Sequence, residues 1–149
     1  MRHIITLIFI VFFGSIAFGQ SILDFSQKTS GNKGERTSML DTLRQRVYKE
    51  INQDVVFVVD HFKVSKGNRN GDYAWFSGSA QRKDGKVIVF PEVEWEYDCC
   101  HVGALFIKKG SVWHTVMYGA FSTDVWQMGI ASDYPDAPKG IFTEEALIE

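Results

Sequence analysis

Residues 54–84 read DVVFVVDHFKVSKGNRNGDYAWFSGSAQRKD, two apolar, β-rich runs separated by a polar, glycine-laden connector. The first run, 55–64, is dense in Val and Phe, which fit a pleated and half-buried surface. The connector Lys66-Gly67-Asn68-Arg69-Asn70-Gly71-Asp72 supplies the positive-φ residues that a reversal needs. Residues 73–81 then run back as a second strand, closed by Lys83-Asp84-Gly85. The reading is a β-hairpin at the centre of the domain. On strict alternation, Val55, Phe57, Val59 and His61 share one face, and Val56, Val58, Asp60, Phe62 and Val64 share the other. Both faces are largely apolar, so both need a cover.

Upstream, Leu40, Leu43, Val47 and Ile51 recur at helical spacing, while Arg44, Gln45, Lys49 and Glu50 fall outside that stripe. Ser38-x-x-Asp41 resembles a capping box, which starts the expected helix at Ser38, and Asn52 is its stop. A one-stripe helix covers one face of the strands. The other face is left for a later segment, the C-terminal tail or a second copy of the protein. Residues 20–37 are mostly small and polar and read as a flexible lead-in, with 38–149 as a single domain. Met1-Arg2-His3, an apolar run over 4–16 and Ala17-Phe18-Gly19 have the layout of a cleaved secretory signal peptide, residues 1–19. That predicts a periplasmic or extracellular protein with no transmembrane anchor.

Downstream, Glu92, Glu94, Glu96 and Asp98 alternate with Val93, Trp95 and Tyr97, the pattern of an edge strand with a charged outer face. Residues 102–107 and 112–119 form a second hairpin, reversed at Lys108-Lys109-Gly110-Ser111. Residues 121–142 are loop-like, yet Trp126, Met128, Ile130, Tyr134, Ile141 and Phe142 are too apolar to stay in water. This tail is expected to wrap back over the core. The fold class is therefore α+β: one N-terminal helix packed on a curved antiparallel sheet of four to five strands. Over 38–119 the order resembles the cystatin-like and NTF2-like folds. Cystatin-type inhibition is not implied, because that family's Gln-x-Val-x-Gly hairpin and later Pro-Trp pair are missing.

The chain carries 149 residues with a net charge of −2 and no basic stripe, which argues against nucleic acid as a partner. There is no Gly-x-Ser-x-Gly elbow, no phosphate-cradling glycine loop and no His-Glu-x-x-His. Cys99-Cys100-His101, with His61 and His114, lacks the paired spacing of a structural zinc site, so neither metal nor cofactor is called for. Cys99 and Cys100 are left with three readings: buried thiols, a vicinal disulfide, or a bridge between chains. The acids ending at Asp98 disfavour a thiolate and hence a catalytic or redox-sensing role. Asp60, His61 and Asp124 are the candidate ligand-binding residues, should a pocket bring them together.

A second resemblance rests on Met39-Leu40-Asp41-x-Leu43-Arg44, Val56-Phe57-Val58-Val59, Trp75-Phe76-x-Gly78 with Gln81-Arg82-x-Asp84-Gly85, and Thr123-Asp124-Val125 before a Trp-containing tail. Together and in this order they resemble a group of small, uncharacterised secreted bacterial proteins. The segment 86–98 and its cysteine pair replace a shorter link in that group. The resemblance implies a class and no activity. The expected role is a non-enzymatic binding or interaction module whose partner is an envelope protein or small ligand. The alternative is a small enzyme or ligand carrier with a pocket between helix and sheet.

Overall fold

A computed structural model describes residues 19–91 and 97–148. Five antiparallel strands follow one another across a single open sheet: β1 (Ser21–Asp24), β2 (Val55–Lys66), β3 (Tyr73–Arg82), β4 (Tyr97–Lys109) and β5 (Val112–Ser122). Helix α1 (Lys33–Ile51) lies between β1 and β2 in the chain. After β5 come only short pieces: α2 (Ile130–Asp133), a 3₁₀ turn (Lys139–Ile141) and α3 (Glu144–Leu147). The class is α+β, as the alternating and helical periods predicted.

Several boundaries differ from the sequence reading, among them the start of β4, at Tyr97 where the sequence placed 102. Among the described residues the helix follows a strand instead of coming first, and it begins at Lys33, so part of 20–37 is strand and helix. Four residues of β1 pair with β2, Ser21 opposite Lys66 and Asp24 opposite Lys63. All four side chains of β1 are exposed, so the strand leaves no burial pattern to read. Its anchor is the next residue, Phe25, whose ring is buried and whose N–H donates to the Phe62 carbonyl at 2.7 Å. The helix starts early because Asn32 closes the preceding loop. Asn32 Nδ2 donates to the Gln27 carbonyl at 2.8 Å and its Oδ1 accepts the Thr29 N–H at 2.9 Å. Arg36 Nε then ties the first turn to the Phe25 carbonyl at 2.9 Å. Ser38 is an exposed residue inside the helix. The end is as expected: Asn52 takes left-handed φ 51° and its N–H bonds the Tyr48 carbonyl.

The faces of β2 are sorted by a bulge. Val59 pairs with Gly78 and His61 with Ser77, leaving Asp60 as the extra residue. One inserted residue inverts the alternation beyond it. Val55, Phe57, Val59, Phe62 and Val64 consequently all meet the helix-side core. Val56 and Val58 go to the opposite face, where they remain 38% and 45% exposed. A similar irregularity in β5 leaves Val116 unpaired between Met117, opposite Leu105, and Thr115, opposite Phe106.

On the helix side, Met39, Leu40, Leu43, Val47 and Ile51 pack with Val55, Phe62, Val64, Phe76, Val102 and Phe106. Along its length α1 also bonds β5. Trp113 Nε1 donates to Glu35 at 3.0 Å, the Thr42 and Thr115 hydroxyls meet at 2.8 Å, and the Tyr118 hydroxyl donates to Glu50 at 3.2 Å. The far end is closed by Ile88 and Phe90; Phe90 stacks on Tyr97 and meets the edge of Phe121. Phe121 holds φ 58°, a turn costing a bulky residue ~1–3 kcal/mol, and its buried ring offsets that cost. Beyond it the chain leaves the sheet edge and crosses to the second face.

There the tail supplies the cover. Ile130, Ala131, Ala137, Ile141, Phe142 and Ala146 pack on Tyr73, Trp75 and Leu105. The Trp126 indole lies against Gly103 and Gly119, which face each other across β4 and β5. A β-carbon on Gly119 would stand 2.2 Å from Trp126 Cε2, so only glycine admits the ring.

Candidate functional site

The tail covers only part of the second face. Its limit is marked by His61, whose Nε2 lies 2.7 Å from the Ile141 carbonyl. Beyond that line three strands present a surface open to solvent: Val56 and Val58 from β2, Ser77, Ser79 and Gln81 from β3, and His101 from β4. Val58 stands opposite Ser79, Val56 opposite Gln81, and Ser79 opposite His101. Ser77 Oγ and His101 Nε2 are 3.0 Å apart, both residues half-buried. Sequence reasoning missed this pair. Twenty-four residues separate its members, and only the register of β3 on β4 brings them together.

A serine hydroxyl bonded to imidazole is the first contact of a nucleophile–base pair. Here it stops at that contact. Among the described residues no carboxylate bonds the His101 ring. The Ser77 hydroxyl and the His101 ring are hydrogen-bonding groups on a face that also carries two exposed valines, Val56 and Val58.

The residues singled out from the sequence are dispersed. His61 is held at the edge of the tail cover through Ile141. Asp60, the bulge residue, is exposed. Asp124 is exposed in the turn after β5, its N–H donating to Ser122 Oγ at 3.1 Å. β2 and β5 are three positions apart in the sheet, roughly 14 Å at the usual strand spacing. Asp124 lies beyond the end of β5, while Asp60 and His61 both belong to β2. Cys99 is exposed, Cys100 packs on the helix-side core, and their sulfur atoms are in direct contact. The pair borders a hollow of about 240 Å³ with Gln81, Arg82 and Ile88. Of the acidic row, Glu92, Glu94 and Glu96 lie outside the described residues, and Asp98 is exposed. Among the described residues no group of three or more His, Cys, Asp or Glu converges to hold a metal ion, and no helix is long and apolar enough to cross a membrane.

The other charged cluster is structural. Burial pushes the Glu35 carboxyl up, but hydrogen bonds from Lys66, Lys108 and Trp113 outweigh this and hold it below the ordinary carboxylate range. Lys108 Nζ stands 3.1 Å from it, and Lys66 makes the second ion pair. Glu35 thereby joins the first turn of α1 to β2, β4 and β5. A groove of about 490 Å³ on the outer side of α1, between Asp41, Arg44, Tyr48 and Asp54, is open to solvent. Glu50 is raised by burial against a hydrogen bond from Tyr118, whose own hydroxyl is raised by burial and by Glu50.

No family model, no curated protein and no solved structure matches this chain.

Proposed function

We propose that this protein is a non-enzymatic binding module of the bacterial envelope, exported by residues 1–19 to the periplasm or the exterior, that engages its partner through the open part of the second sheet face. One observation carries this reading. The layer between α1 and the sheet is filled by side chains such as Met39, Leu43, Val47, Phe62 and Phe76, whereas Val56 and Val58 remain in water beside Ser77, Ser79 and His101. A helix lying across one face of an antiparallel sheet also supports a cystatin-like or NTF2-like arrangement. The filled layer weighs against a carrier with its pocket between helix and sheet. The partner is another envelope protein, with a second copy of this chain and a small ligand as the other candidates.

A photo-crosslinking residue placed at Val58, and separately at Gln45 on the outer side of α1, tests this in cells exporting the protein. Adducts at 58 and not at 45 are expected, and their mass separates a second copy from another protein. Adducts at neither position, or equally at both, would remove the open face as the contact surface. The enzyme alternative rests on the Ser77–His101 contact. A hydrolytic activity lost in both Ser77→Ala and His101→Ala would put it first.

A further inference from the structure

The turn between β2 and β3 clamps the tail. Asn68 Nδ2 donates to the Asp136 carbonyl at 2.8 Å, and Asn70 Nδ2 donates to Asp136 Oδ1 at 2.5 Å. Burial, with the negative charge of Asp136, pushes the Tyr73 hydroxyl up. The two amides are the polar hold on the stretch between α2 and the 3₁₀ turn, and one of them precedes a glycine. Of the four asparagines, 32, 52, 68 and 70, only Asn70 is followed by Gly; the others precede Lys, Gln and Arg. Asn70 is exposed, and Gly71 sits at φ 107° with no side chain to shield its nitrogen.

We infer that Asn70-Gly71 is a site of spontaneous deamidation, and that the carboxylate it creates opposes Asp136 and loosens the tail from the second sheet face. The Gly71 nitrogen attacks the Asn70 side-chain carbonyl carbon. A new C–N bond forms, the Cγ–Nδ2 bond breaks, and ammonia leaves carrying the proton from the Gly71 nitrogen. Water then opens the cyclic imide at either carbonyl, giving aspartate or isoaspartate, with no change in oxidation state. The Gly71 N–H first has to leave the Asn68 carbonyl, 3.1 Å away, an opening available to an exposed turn. The product replaces a donor by an acceptor-only anion, so a hydrogen bond becomes a like-charge contact. What it uncovers is apolar: Tyr73, Trp75 and Leu105 lie under the tail. This is independent of the binding reading above, since it concerns which part of the second face is covered and not what docks on it.

The folded protein, held in mildly alkaline buffer and digested, tests the first half by peptide mass. The peptide containing residue 70 should gain the mass of an NH-to-O exchange and contain isoaspartate, while the Asn32 and Asn52 peptides stay unchanged. Asn70→Asp and Asn70→Ser test the second half by hydrogen exchange. Both lose the amide donor, and only the first adds charge. Exchange over 130–142 should be faster in Asn70→Asp than in Asn70→Ser by roughly fivefold, the size of one like-charge contact in water, with α1 amides unchanged in both. No mass gain at residue 70, or equal exchange in the two variants, would overturn the inference.

Discussion

The two faces of this sheet are covered in different ways. On one, a 19-residue helix brings its own hydrogen-bond ladder and an apolar stripe, and its ties to β5 pair polar groups with polar groups. On the other, the cover is chain whose helical pieces are three or four residues long. Those pieces have no stability of their own; they hold their shape against Tyr73, Trp75, Leu105 and the glycine pair, with polar ties to Asn68, Asn70 and His61. The Trp75 indole N–H, fully buried beneath them, has no hydrogen-bond partner among the described residues. Leaving such a donor unmet costs about 1–3 kcal/mol. The helix side should therefore carry the larger share of the domain's stability, and the tail side should be the first to open.

Truncation on the helix side should break that contrast most severely. Leu43 is fully buried between α1 and the sheet, and Leu43→Ala should cost ~2–5 kcal/mol. Chemical denaturation followed by far-UV dichroism should show the loss across the whole transition. An unchanged midpoint would mean that the helix does not hold the sheet. On the tail side, Gly119→Ala should cost ~1–3 kcal/mol by pushing Trp126 off its seat. The signature is coupling: in a Trp126→Ala background the same substitution should become neutral or stabilising, because the alanine methyl then enters vacated space. Additive effects in a double-mutant cycle would show that the ring does not rest on the glycine pair.

The smallest effect expected is electrostatic and sharpens the helix side alone. Glu35 is held below its ordinary value of 4.5. A carboxyl depressed in the folded state adds stability above its unfolded pKa, and that stability is lost as pH falls through the depressed value. Glu35→Gln should be less stable than the parent at neutral pH by under about 1 kcal/mol, its partners being part-exposed. The gap should close as pH drops below about 4.5. A gap that persists at low pH would assign the effect to packing instead of charge.

What the sequence made legible follows from how each feature leaves its mark. The helix stripe Leu40, Leu43, Val47 and Ile51 and the two hairpins impose a period, and a period can be read. The tail's apolar residues were equally telling, since Trp126, Ile141 and Phe142 had to be covered by something. Asp60 left no such mark. A bulge has no period, and missing it assigned Phe62 and Val64 to the wrong face and made both faces look apolar. β1 escaped because it is held by backbone bonds and by Phe25 beyond its end. For the site, Asp60, His61 and Asp124 were grouped by chemistry alone, and they fall on β2 and in the turn beyond β5. The Ser77–His101 contact depends wholly on cross-strand register, which nothing local encodes.

The strand order has a consequence for the time course of folding. β2, β3, β4 and β5 succeed one another in space as they do in the chain, so each can add to a neighbour already in place. Such near-neighbour pairing lowers contact order and favours fast assembly. β1 is the exception: it is the first strand among the described residues, yet its partner lies beyond the whole of α1, and that loop has to close before a single bond forms. With four exposed residues and one anchoring ring, it should be the last strand to zip up and the first to peel away. Newly synthesised chain would thus carry its N-terminal strand unpaired until the hairpin that receives it has been built.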